Sequence, residues 1–153
     1  MPCKVAIVMG SKSDADTMSA AEPYLDYFAI EHETFVLSAH RTPEATAEFA
    51  KSAADKGYAA IIAGAGMAAH LPGVIASYTL CPVIGVPLAG SDLRGLDALY
   101  SIVQMPRGVP VATMAIGKAG AVNAALYAAR MIALNDSGMR DKLKRFRQQG
   151  CVL

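Results

Sequence analysis

The sequence predicts an α/β fold, a mostly parallel sheet covered by helices on both faces, and three observations predict it. Five apolar runs rich in β-branched residues recur at intervals of about 25 residues. Each run is continuous rather than alternating, as a strand buried on both faces requires. Stretches of helical periodicity separate most of them, which is the alternation that right-handed βαβ crossovers produce.

In chain order, the strands are expected at residues 5–9 (VAIVM), 34–37 (TFVL), 59–63 (AAIIA), 82–86 (PVIGV) and 111–116 (VATMAI). Between the first two, Met18, Ala21, Leu25 and Phe28 fall on one helical face, with Ser13 as the expected N-cap. Pro23 removes one backbone donor inside that pattern, and because the apolar phase continues through it a kink is expected rather than a break. Thr42-Pro43-Glu44 reads as a helix start: a cap residue, Pro in the first turn, then an acid at the positive end of the dipole. After the fifth strand, Val122, Ala125, Leu126, Ala129 and Ile132 mark a long apolar helix. Asp136-Ser137-Gly138 interrupts it, and Met139, Leu143 and Phe146 mark a last one. No linker, repeat or low-complexity segment divides the chain, so residues 1–153 are expected to form one domain.

Length and composition narrow the classes. At 153 residues, with 18% charged and 54% hydrophobic residues, the chain has the size and the apolar content of one folded domain. Alanine supplies 29 of those residues, and small side chains at that density allow close approach of elements and leave apolar surface for a partner subunit. No run reaches the roughly 18 uninterrupted apolar residues of a membrane span. The N-terminus is too short and too strand-like for a signal peptide. Cys3, Cys81 and Cys151 are odd in number and widely spaced, which suits a reducing compartment, and a cytoplasmic protein is expected. Net charge is +1, yet residues 140–147 hold five of the fourteen basic residues and one acid. The rest therefore carries nine basic against twelve acidic groups, with no basic face, so the last helix reads as solvated or subunit-packing rather than as a nucleic-acid contact.

In open parallel sheets, ligands bind beyond the carboxyl ends of the strands. The first four strands run into GSKSD at 10–14, SAHR at 38–41, GAGMAAHLPG at 64–73 and PLAGS at 87–91. The first of these segments enters a helix start, where free N–H groups favour an anion. Ser11 and Ser13 add hydroxyl donors, Arg41 offers a planar fork for phosphate, and Asp14 is an acceptor suited to sugar hydroxyls. The same residues also suit an ordinary capping turn. His40 lies directly after a strand and beside Arg41, and a histidine side chain can both take and give a proton. His70 lies in a glycine- and alanine-rich loop and suits either a ligand contact or a helix cap. Ser38, Gly66, Ala68 and Leu71 complete the expected substrate-facing rim. Neither GxxxxGK[ST] nor GxGxxG follows the first strand. Metal binding is not expected, because no HxxxH, carboxylate–histidine set or cysteine cluster occurs. Cys81, at a strand start, is at the wrong end for a nucleophile, and Met105 and the other methionines read as core filler.

Taken together, GSKSD at 10–14, SAHRTP at 38–43, AAHLPG at 68–73 and GLDALYSIVQMP at 95–106 resemble the bacterial N5-carboxyaminoimidazole ribonucleotide mutases of purine biosynthesis. The resemblance covers nearly the whole chain, in order. It implies a flavodoxin-like three-layer sandwich assembled as a homo-octamer, with C-terminal helices over about 120–149 packing on neighbouring subunits. It also implies transfer of a carboxylate from the exocyclic nitrogen to ring carbon C4 of a ribonucleotide, with no metal or organic cofactor. Position by position, Ser11 and Arg41 would hold the phosphate and Asp14 the ribose. His40 would be the acid/base, and His70 with its loop would shape the pocket for the carboxylate and CO2. Two departures stand out: Met67 where the family usually has a second glycine, and LAGSD at 88–92 after the fourth strand. A direct aminoimidazole ribonucleotide carboxylase and a non-catalytic nucleotide-binding module are the competing readings, because fold alone does not fix function.

Overall fold

A computed structural model describes residues 4–153; Cys3 and the start of the N-terminal segment lie outside them. Its sheet has five parallel strands, β1 (Lys4–Met9), β2 (Glu31–Val36), β3 (Tyr58–Gly66), β4 (Val83–Leu88) and β5 (Ala112–Thr113), in the order β2-β1-β3-β4-β5. The central three are β1, β3 and β4, and their continuous apolar runs are buried as expected. The chain leaves β1 outward to β2, then crosses back to β3 on the other side of β1. That reversal opens a crevice at the carboxyl ends of β1 and β3.

Helices cover both faces. On one side lie α1 (Ala15–Met18), α2 (Glu22–Tyr27), α6 (Lys118–Ile132) and α7 (Ser137–Gln148). On the other lie α3 (Pro43–Ser52), α4 (Leu71–Tyr78) and α5 (Leu96–Val103). The first core joins Ile7, Met18, Leu25, Phe28, Ile62, Val86 and Ala128; the second joins Val8, Phe49, Ile61, Ile75 and Ile102. Phe28 is fully buried against Tyr27 and Phe146, so its truncation to Ala should cost about 3–5 kcal/mol. Gly64 lets Met18 lie on the sheet: a Cβ there would collide with the Met18 sulfur, which fixes where the first loop enters α1.

Several local expectations change. The first helix is capped by Ser11 rather than Ser13, through a 3-10 turn over Lys12–Asp14. It does not kink at Pro23: a second 3-10 turn over Ser19–Ala21 divides it, and α2 restarts with Pro23 in its first turn, where the missing N–H is harmless. β2 is an edge strand that is mostly exposed rather than covered on both faces, because it begins in Glu31 and Glu33, upstream of its apolar half. The fifth strand, β5 (Ala112–Thr113), shrinks to two residues, paired only with β4. On α6 the buried face is Ala121, Ala124, Ala125, Ala128, Ala129 and Ile132, while Val122 and Leu126 are half-buried; small side chains set the approach. α7 packs Phe146 on Tyr24, Tyr27 and Phe28. Met67 is exposed, unlike the core methionines Met9, Met18 and Met139.

Candidate active site

The loops after β1, β2 and β3, with Gly90 from the loop after β4, line a cleft of about 400 Å3. Its lining includes every residue singled out from the sequence: Ser11, Ser13, Asp14, Ser38, His40, Arg41, Gly66, Ala68, His70 and Leu71. Gly10, Ala39, Ala65, Met67 and Gly90 complete the wall. Met67 also stood out as a departure from the family pattern; for the other four, position on the rim segments was the only signal.

The first loop caps the turn that follows it and leaves hydroxyl and carboxylate atoms facing the cleft. Ser11 Oγ accepts from the Ser13 amide at 3.3 Å and from the Ser13 hydroxyl at 2.9 Å. With both acceptor sites used, the Ser11 O–H is left to donate outward. The Ser11 amide donates to Asp14 Oδ2 at 3.0 Å, so one carboxylate oxygen is held and the other remains for a ligand. Burial pushes the Asp14 carboxyl above its ordinary range, partly opposed by that amide.

A tight hydroxyl-locked turn carries the second loop. Thr42 was expected to cap α3 but makes no side-chain cap; its hydroxyl instead accepts from the Ser38 amide at 3.0 Å and donates to the Ser38 carbonyl at 3.1 Å. The Thr42 amide reaches the same carbonyl at 2.8 Å, and the Arg41 amide donates to Ser38 Oγ at 3.2 Å. Ser38 is thus tied into the turn that displays His40 and Arg41. The Arg41 guanidinium makes no hydrogen bond or ion pair among the described residues, which leaves its fork for an anion.

The third loop brings His70 to His40. His70 holds the N-cap position of α4 without a side-chain cap bond, so its ring does not serve as the helix cap. Its Nδ1 is hydrogen-bonded to His40 Nε2, with the rings edge-to-face at 4.7 Å between centroids. One of the facing nitrogens must carry the proton, so the pair has two arrangements. With the proton on His40 Nε2, the outer Nδ1 of His40 is a bare base; with it on His70, the same Nδ1 carries a proton to give. Thirty residues separate the two histidines, and no sequence spacing signalled the contact. Three residues before His70, Met67 adopts a left-handed φ of 55°.

A family model described as AIR carboxylase matches residues 4–151. The N5-carboxyaminoimidazole ribonucleotide mutase of Escherichia coli (strain K12) is 56% identical over 147 residues, covering 96% of this chain and 87% of that one. The enzyme of the same name from Saccharolobus solfataricus is 55% identical over 143 residues, covering 94% and 89%. Among solved structures, Treponema denticola PurE superposes with a TM-score of 0.86 at 29% identity, covering 97% of this chain and 91% of that one.

Proposed function

The chain belongs to the AIR carboxylase family, and we propose that within it the protein is an N5-carboxyaminoimidazole ribonucleotide mutase of de novo purine biosynthesis. The observation that carries the reading is the cleft itself. Three loops distant in sequence bring eleven residues of the quoted motifs together, in a chain more than half identical to named mutases.

On this reading, Ser11, Ser13 and the free fork of Arg41 bind the ribonucleotide phosphate, and the open oxygen of Asp14 takes a ribose hydroxyl. His40 handles the protons, with Nδ1 toward the ring because Nε2 faces His70. The N5 carbamate takes a proton at nitrogen as its C–N bond breaks, releasing CO2 and leaving the free amine. Ring carbon C4 then attacks CO2, forming the new C–C bond with the electron pair of the enamine. Loss of the C4 proton restores aromaticity. One proton is given and one taken back, so a single acid/base ends as it began and the scheme closes without a cofactor. His70, Gly66, Ala68 and Leu71 shape the end of the cleft where the carboxylate moves.

The same reading carries a closed homo-octamer, and among the described residues no helix is long and apolar enough to cross a membrane. Leu96, Tyr100 and Val103 form an exposed apolar stripe on α5, and Tyr127 and Leu134 are exposed on and just beyond α6; these surfaces support subunit contacts. A cytoplasmic enzyme fits this chemistry. The deciding assay offers the purified protein N5-carboxylated substrate, or aminoimidazole ribonucleotide with bicarbonate. Turnover of the first is expected; turnover of the second alone would make it the direct carboxylase.

A further inference from the structure

Met67 is the one exposed methionine among the described residues, at 62%, and belongs to neither core. A left-handed backbone suits glycine better than a residue with a side chain, so packing and backbone preference both leave Met67 without a folding role. Its place is the cleft wall, with Ala65, Ala68, Leu71 and the two histidines.

We propose that Met67 is a hydroperoxide-sensitive modification site, and that its sulfoxide closes the cleft to substrate. In the oxidation, Sδ attacks the terminal oxygen of the hydroperoxide. The O–O bond breaks, an S–O bond forms, the thioether loses two electrons and the peroxide leaves as alcohol or water. The side chain changes from a soft apolar group to a polar one with a strong acceptor. Its new oxygen stands in a wall whose donors include His40, His70 and Arg41, groups the substrate needs. Selectivity follows from exposure, because the other described methionines are buried or half-buried.

The proposal rests on this cleft being the mutase site, and the experiment separates the two. The assembled protein is treated with hydrogen peroxide, and turnover of N5-carboxylated substrate is scored against each variant's own untreated rate. Affinity for aminoimidazole ribonucleotide is read by calorimetry on the same samples, so Met67 is tested whether or not turnover is seen. In a Cys151→Ser background, oxidation of Met67 by one oxygen in the peptide mass map should track at least about a tenfold loss of turnover and of affinity. Met67→Leu, or Met67→Gly on the backbone that φ suits, should keep both after treatment. Methionine sulfoxide reductase should restore the oxidised protein, whereas dithiothreitol alone should not. Parallel inactivation of the Met67 variants, rescue by dithiothreitol alone, or full Met67 oxidation with turnover and affinity intact would each overturn the proposal. Untreated protein that binds the ribonucleotide but turns over no N5-carboxylated substrate would overturn the mutase reading instead.

Discussion

Two carboxylates at opposite ends of one sheet are treated in opposite ways. At the amino ends of the strands, Glu33 accepts from Lys4 Nζ at 2.8 Å and from the Tyr58 hydroxyl at 2.6 Å, and Lys4 also lies over the Tyr58 ring. The Lys4 hydrogen bond, then that of Tyr58, holds the Glu33 carboxyl below its ordinary range. At the carboxyl ends, burial pushes Asp14 up, and one of its oxygens is left without a partner among the described residues. The lower edge has its charges matched within the chain and serves the fold. The upper edge leaves one oxygen of Asp14, the Arg41 guanidinium and the outer nitrogen of His40 without a partner among the described residues, the pattern expected of a binding site rather than of a structural ion pair.

Substitutions can break that contrast, and the largest effect is expected at His40. His40→Asn should leave the chain folded and able to bind the ribonucleotide while turnover falls at least about 10²-fold, read by steady-state kinetics beside circular dichroism. Near-normal turnover would return His40 to a structural role. Arg41→Lys replaces a bidentate fork with a point charge; calorimetry should show about 10- to 100-fold weaker binding, the equivalent of roughly 1.5–3 kcal/mol. Unchanged affinity would remove Arg41 from the site. Asp14→Asn should weaken ribonucleotide binding by about tenfold. It should also raise the melting temperature at neutral pH. The folded-state value of Asp14 lies above the unfolded one, so its contribution to stability is present at low pH and is lost as pH rises through the raised value. The smallest effect sharpens the contrast from the other end. Glu33→Gln should lower the melting temperature slightly and leave kinetics alone. Its linkage has the opposite sign: Glu33 stabilises above the ordinary carboxylate range, and that contribution is lost as pH falls through the lowered value. Thermal melts of the two variants across the acid range should therefore diverge in opposite directions from the parent.

The central strands and the rim were legible because their signals are local: continuous apolar runs, and chemistry-bearing residues directly after them. The features that were not legible depend on neighbours distant in sequence. An edge strand and a central one present similar apolar runs, so the exposure of β2 and the shortness of β5 followed only from sheet order. Both Ser11 and Ser13 are good caps, and the choice between them was made by Asp14 reaching back to the Ser11 amide. Thr42 satisfied every rule for a helix cap, yet a turn five residues long outcompeted the helix for its hydroxyl. The His40–His70 contact joins loops after different strands, and only the parallel register of β1 with its two neighbours sets them side by side.

That turn between Ser38 and Thr42 has a calorimetric consequence. Fixing a backbone residue costs roughly 1–2 kcal/mol of conformational entropy, and here folding has already fixed the residues that carry His40 and Arg41, through four hydrogen bonds made without any ligand. Substrate capture at this loop should therefore proceed with little ordering of the chain, its heat coming from charge-assisted contacts set against a small entropic loss. Thr42→Val, which removes the hydroxyl and keeps the shape, would move that loss from folding to binding: the enthalpy of association would stay near its parent value while the entropy term turned against it.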